Sequence, residues 1–103
     1  MDNKILDLIK KEILAMAPNA IIRLFGSRAR GSFQEDSDYD LLVLLSNETY
    51  NPKLKETIED LALTIGLKEG LFINTIVESK KNWETSPGLY PLYLNVEKEA
   101  VVI

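Results

Sequence analysis

The chain has 103 residues, of which 46% are hydrophobic and 27% are charged, and its formal net charge is -4. This length and apolar content suit one domain with a single hydrophobic core, spanning residues 1–103. The acidic balance argues against a free-standing nucleic-acid binder, which must neutralise many phosphates. Nucleic acid is therefore not expected as a stable ligand.

The chain contains neither cysteine nor histidine. Disulfides, thiolate nucleophiles and cysteine zinc sites are excluded, so acid-base and metal chemistry must come from carboxylates. Oxygen ligands favour Mg²⁺ or Mn²⁺ over zinc. Neither a signal-peptide pattern nor an apolar stretch of about 18 residues is present, which predicts a cytoplasmic location and no membrane partner.

Apolar periodicity and turn residues predict alternating helices and strands. In chain order these are a helix begun by Asp2 and ended by Pro18, a strand over 20–25, a short helix over 27–30, a strand over 38–45, a helix capped by Asn51 and stopped by Gly66, a strand over 71–77, a helical turn over 80–85, a helix opened by Pro91, and an edge strand over 100–103. The alternation predicts an α/β (α+β) fold, with a mixed β-sheet of about four strands packed with helices.

One stretch departs from the pattern of a plain globular core. An apolar strand ends at Gly26-Ser27, a small and flexible pair where backbone N–H groups and a hydroxyl can approach a phosphate. Ten residues later, Asp38-Tyr39-Asp40 leads into another apolar strand. The period of two in a strand puts both aspartates on one face, with Cα atoms roughly 6 to 7 Å apart. Their side chains can then converge on a pair of divalent ions.

The Gly-Ser pair, the ten-residue spacer and Asp-x-Asp resemble the signature of the minimal nucleotidyltransferases of the polymerase β superfamily. The local sequences GSRARG and DSDYDLLV are also similar to that family. More loosely, the resemblance covers nearly the whole chain and agrees with the predicted fold. It implies Mg²⁺-dependent transfer of a nucleoside monophosphate from an NTP to a hydroxyl, with ATP the expected donor.

The resemblance implies a role for each residue of the motif. Asp38 and Asp40 would be catalytic residues and metal ligands, while Gly26 and Ser27 would bind the nucleotide's phosphates.

Two arginines after the Gly-Ser pair have two interpretations. Arg28 and Arg30 either add positive charge near the leaving pyrophosphate or are solvated helix residues paired with Glu35 or Asp36. Both interpretations stay open from the sequence.

One departure from the family pattern concerns the third carboxylate, which full sites of this type carry on the strand beside Asp-x-Asp. The predicted strand over 71–77 contains no acid. Asn74 is one candidate for the missing position, and Glu78, on the same face by the period of two, is the other. An asparagine binds metal weakly and cannot act as a base near neutral pH.

Three hypotheses for function follow. The first is an active nucleotidyltransferase that adenylylates a protein hydroxyl, because the chain resembles the antitoxin branch of the family, whose partner is a helical HEPN-domain toxin. The second is a degenerate transferase that binds nucleotide or a partner protein without turnover, which Asn74 favours. The third is a plain structural or interaction domain, and the retained motif spacing argues against it.

Overall fold

The computed structural model describes residues 3–85 and 92–103. Its elements, in chain order, are α1 (Lys4–Met16), β1 (Ile21–Phe25), α2 (Ser27–Arg30), β2 (Tyr39–Leu45), α3 (Pro52–Glu69), β3 (Ile73–Ser79), α4 (Lys80–Thr85), α5 (Tyr93–Glu99) and β4 (Val101–Val102).

The four strands form one mixed sheet in the order β3-β2-β1-β4. Strand β1 runs antiparallel to both β2 and β4, whereas β2 and β3 run parallel. Parallel neighbours need a crossover connection, and α3 supplies it. The arrangement confirms the predicted mixed sheet of about four strands packed with helices.

Strand β2 is covered on both of its faces. Every second residue from Tyr39 to Leu45 belongs to the larger core, on the side of α1 and α3. Leu42 and Leu44 face the other side, where they pack with Trp83 of α4 and a buried residue of α5. The predicted alternation along this strand is confirmed. By the same period of two, Asp40 lies on the face of Leu42 and Leu44, toward α4 and α5.

Asparagines begin the two longest helices. The side chain of Asn3 caps α1, and that of Asn51 caps α3, each by accepting a hydrogen bond from the backbone N–H three residues further on, at 3.0 and 2.8 Å. Pro52 occupies the first turn of α3, where its missing N–H has no helical partner to lose. The predicted start of α3 is confirmed. The predicted cap of the first helix, Asp2, lies outside the described residues.

The prediction that Gly66 stops α3 is wrong. The helix continues to Glu69 and ends at Gly70, whose φ of 69° lies in the left-handed region. Gly66 is instead a buried residue within the helix. A Cβ there would lie 2.6 Å from the carbonyl oxygen of Leu71. The missing side chain lets the chain fold back against the helix, and β3 consequently begins at Ile73 rather than at residue 71.

Helix α4 and strand β4 are of the type that the sequence predicts. Strand β4 is a short edge strand, paired only with β1 among the described strands. Helix α4 occupies the range predicted for a helical turn. Pro91, predicted to open the last helix, lies outside the described residues. Within residues 3–85 and 92–103, no helix combines the length and apolarity needed to cross a membrane.

Candidate functional site

The candidate site begins where β1 ends against β2. Phe25, the last residue of β1, is paired with Asp40 in the sheet, and Gly26 follows with a φ of 76°. A Cβ on Gly26 would overlap the carboxylate of Asp40. Glycine is therefore required twice over, for its positive φ and for the close approach of its backbone to an acid.

On its other side, Asp40 is paired with Asn74 of β3. The Asn74 side-chain amide donates a hydrogen bond from Nδ2 to Oδ1 of Asp40 at 3.1 Å. Asp40 is half-buried and Asn74 is exposed. The polar residue next to the second motif aspartate is therefore an amide and not a carboxylate.

Glu78, the alternative third position, lies elsewhere. It is paired with Leu44, four residues further along β3 than Asn74, which is about 13 Å at the rise of a strand. Its Oε1 accepts hydrogen bonds from the backbone N–H of Ser79 at 2.9 Å and from Nδ2 of Asn82 at 3.2 Å. The structure thus brings Asn74 to Asp40 and holds the carboxylate of Glu78 at the start of α4.

Asp38 is exposed and precedes β2. The chain is tied to β3 immediately afterwards, because the N–H of Tyr39 donates to the carbonyl oxygen of Phe72 at 2.9 Å. Asp38 lines a cavity of about 450 Å³ whose apolar wall includes Leu63, Leu67 and Phe72. The two motif aspartates therefore line different cavities, whereas a single groove is the simplest expectation from their spacing.

A second cavity, of about 220 Å³, lies on the side of Asp40. Its polar wall consists of Gly26, Arg30, Asp40, Asn95 and Glu99, and its apolar wall of Phe25, Leu92 and Val96. Ser27 is half-buried and directly follows Gly26. This space, which we call the Asp40 cavity, combines backbone and guanidinium donors with the carboxylates of Asp40 and Glu99.

Arg28 does not contact the Asp40 cavity. Its guanidinium is buried and donates to the carbonyl oxygens of Glu35, at 2.9 Å, and of Ser37, at 2.9 and 3.1 Å. The same group lies over the rings of Tyr39 and Phe33, 3.9 and 4.8 Å from their centroids. Both sequence interpretations of Arg28, as a phosphate contact or as a solvated partner of an acidic side chain, are thus replaced by an anchor for the loop over 31–38.

Arg30 does reach the Asp40 cavity, but its partner is an acid that the sequence analysis missed. Its Nη1 donates to both carboxylate oxygens of Glu99, at 3.0 and 3.2 Å, and not to Glu35 or Asp36. Glu99 also accepts from the N–H of Gly26 at 2.9 Å. The hydrogen bond from Arg30, followed by that from Gly26, lowers the pKa of Glu99 below its ordinary value. No local pattern marks Glu99, since its partners lie 69 and 73 residues away in the chain.

The residues present fit a divalent cation in chemical type. Carboxylate oxygens are the ligands that Mg²⁺ prefers, and Asp38 and Asp40 are two residues apart, with Asp40 packed against Gly26. In the described ranges, 3–85 and 92–103, no set of three or more acids is arranged to hold a metal ion. Within those ranges, the carboxylates that the motif supplies are those of Asp38 and Asp40.

A glycine-serine turn packed against an aspartate of the neighbouring strand, within this mixed sheet, defines a nucleotidyltransferase type of domain. The chain belongs to the nucleotidyltransferase domain family, whose sequence profile matches residues 6–89.

Curated relatives support the assignment. A candidate protein adenylyltransferase of Methanocaldococcus jannaschii is 35% identical over 79 residues, covering 75% of this chain and 79% of that protein. A second candidate protein adenylyltransferase of the same organism is 40% identical over 60 residues, covering 58% of this chain and 54% of that protein. This chain thus spans about half the length of the second relative.

Solved structures share the fold. A candidate minimal nucleotidyltransferase superposes with a TM-score of 0.60 at 28% identity, covering 100% of this chain and 97% of that one. A toxin-antitoxin crystal structure with AMP-PNP superposes with a TM-score of 0.61, covering 93% of this chain and 70% of that one. Its 17% identity shows likeness of fold alone.

Proposed function

We propose that this domain transfers a nucleoside monophosphate, AMP from ATP, to a hydroxyl on a protein partner, with Mg²⁺ or Mn²⁺ as cofactor. The observation that carries the proposal is the packing of the Gly26 backbone on the carboxylate of Asp40. The Gly26 turn and the Asp40 carboxylate line one cavity, and a metal-bound triphosphate would need one group for its phosphates and one for its cation.

The phosphates would be bound on the Gly26 side of this contact. The N–H of Gly26, the hydroxyl of Ser27 and the guanidinium of Arg30 are donors suited to phosphate oxygens. Arg28 is left out of this set because its guanidinium is bound to backbone carbonyls.

The cation would be held by Asp38 and Asp40. When bound, it supplies positive charge that offsets the charge developing at the transferred phosphorus and on the leaving pyrophosphate. The amide of Asn74 holds Oδ1 of Asp40, which orients that carboxylate with Oδ2 toward Gly26.

A protein acceptor is supported by the names of the two curated relatives, both candidate protein adenylyltransferases. The net charge of -4 also disfavours a polyanionic acceptor. A helical HEPN-domain protein is the proposed partner. It rests on the family resemblance and on the structural neighbour described as a toxin-antitoxin.

The experiment is to incubate the domain with labelled ATP, Mg²⁺ and the helical partner, followed by intact-mass measurement of both proteins. We expect the mass of one AMP on the partner and none when Mg²⁺ is chelated. The same reaction with the Asp40→Asn domain is the matched control. Unmodified partner in a reaction where ATP binding is independently demonstrated would count against transfer.

A degenerate domain that binds nucleotide or its partner without turnover is the second candidate. Asn74 beside Asp40 favours it, because an amide cannot accept the acceptor's proton near neutral pH. Binding of Mg²⁺-ATP with no modified protein in the same assay would support this candidate over the first.

A further inference from the structure

We propose that Glu99 is a built-in competitor of the nucleotide, whose carboxylate occupies the donors of Gly26 and Arg30 until a phosphate group displaces it. This inference rests on the proposed function, and it adds a regulatory element to the same site. The ligand class it opposes is a nucleoside triphosphate bound through its phosphates.

The occupied donors carry the argument. Glu99 Oε1 accepts from the N–H of Gly26 at 2.9 Å, and Oε2 accepts from Nη1 of Arg30 at 3.0 Å. A carboxylate and a phosphate both present oxygens with negative charge to such donors. Glu99 therefore takes the place of a phosphate at two of the three donor residues that the proposed function assigns to the nucleotide.

Charge adds to this competition. Glu99 and Asp40 line the same cavity, so a polyanionic ligand entering it meets two carboxylates. A cation bound at Asp40 offsets one of them. The negative charge of Glu99 repels the ligand unless the Glu99 side chain leaves the cavity. Arg30 cannot neutralise that charge once its guanidinium binds the ligand's phosphates.

The side chain can leave without moving its helix. Helix α5 is fixed independently by fully buried Val96 and by Glu97, which pairs with Arg23 at 2.7 Å and accepts from Nε1 of Trp83 at 3.2 Å. Glu99 itself is the last residue of α5, and its side chain is 20% exposed. Rotation of that one side chain toward solvent frees the donors while the contacts of Val96 and Glu97 persist.

A positioning role for Glu99 predicts the opposite result. If the carboxylate served to hold Arg30 ready for the ligand, its removal would weaken nucleotide binding. A competitor, when removed, leaves the donors available and strengthens binding. The sign of one affinity change therefore separates the two roles.

The test is calorimetric titration of Mg²⁺-ATP into the wild-type chain, Glu99→Gln and Glu99→Ala. If Glu99 occupies the donors in about nine molecules of ten, its removal lowers the apparent dissociation constant about tenfold. The matched control is Glu97→Gln, which removes an equal charge from an arginine-paired residue of the same helix outside the cavity. We expect its affinity to lie within about twofold of wild type, with circular dichroism confirming that each variant is folded.

Each outcome has one meaning. Equal or weaker binding by both folded Glu99 variants, with measurable binding by wild type, would overturn the competitor role and leave the proposed function standing. An equal gain in Glu97→Gln would reduce the effect to general charge and also overturn it. Absence of binding by every folded chain, Glu99→Ala included, would instead remove the proposed nucleotide site, and the competitor role with it.

Discussion

Asn74 and Asp40 face each other across the parallel strands β2 and β3, joined by a hydrogen bond of 3.1 Å from the amide to Oδ1. Asn74→Asp would replace that donor with a carboxylate at the position proposed for the missing acid. We expect AMP transfer to accelerate, by about 10² to 10⁴ if the new carboxylate acts as general base. Single-turnover transfer of labelled AMP to the partner measures the rate.

The same substitution brings two like charges together, so its stability should depend on the cation. Without Mg²⁺ the variant should melt below wild type, and Mg²⁺ should stabilise it more than wild type. Glu78→Gln is the complementary variant. Loss of transfer in Glu78→Gln, with none gained in Asn74→Asp, would assign the third carboxylate to Glu78.

Asp38 and Asp40 should account for nucleotide-dependent stabilisation. Ligand at a hundredfold excess over its dissociation constant stabilises a fold by about 2.7 kcal/mol. We expect Mg²⁺-ATP to raise the melting temperature of wild type and to leave Asp38→Asn/Asp40→Asn unchanged. The exposed pair Asp7→Asn/Asp60→Asn, in α1 and α3, removes equal charge away from the motif and should retain the shift. A full shift in the motif double variant would remove both aspartates from the cation site.

Two glycines share a positive φ but differ in ψ, which is -160° at Gly26 and 5°, in the left-handed helical region, at Gly31. Gly26 and Gly31 have φ values of 76° and 80°, but a Cβ would overlap Asp40 at Gly26 and meets nothing within 4 Å at Gly31. Gly31→Ala should cost about 1 to 2 kcal/mol for its positive φ. Gly26→Ala should cost about 1 to 3 kcal/mol more, because its backbone lies in a region essentially restricted to glycine and because the Asp40 carboxylate must shift. Urea unfolding of both variants measures the difference, and equal losses would contradict the close contact.

The arginines of α2 should differ in their effect on stability. Arg28→Lys loses the planar guanidinium that binds two backbone carbonyls and stacks on two rings, and we expect a loss of about 2 kcal/mol. Arg30→Lys alters an exposed ion pair and should cost about 1 kcal/mol or less. Chemical denaturation distinguishes them. A larger loss in Arg30→Lys would show that the anchor of the loop has been assigned to the wrong arginine.

Residues whose environment depends on near neighbours in the chain were the predictable ones. The alternation of β2 was readable because the period of two separates its faces, and the Asn51-Pro52 cap because its partners lie within one turn. The end of α3 was not, since Gly66 and Gly70 carry the same local signal. Only the return of the chain at Leu71 decides between them.

The candidate site also contains features that the sequence could predict and features that it could not. The register that puts Asn74 beside Asp40 followed from two strands pairing in parallel, although which of Asn74 and Glu78 faced Asp40 depended on where β3 begins. The role of Glu99 could not be predicted from the sequence, because its hydrogen-bond partners are distant in the chain. The partners of Arg28 could not be predicted, because they are backbone carbonyls, which every residue possesses and which leave no mark in a sequence.

Arg28 donates hydrogen bonds to the backbone carbonyl oxygens of Glu35 and Ser37. The backbone path of the loop leading to Asp38 is therefore set by a residue of α2, outside the loop. The exposed side chains at 34–36 are consequently free to change in size and charge while the backbone course is conserved. Randomising those three positions in a display library would diversify the surface next to Asp38 with little cost in folding, provided that Arg28 is kept.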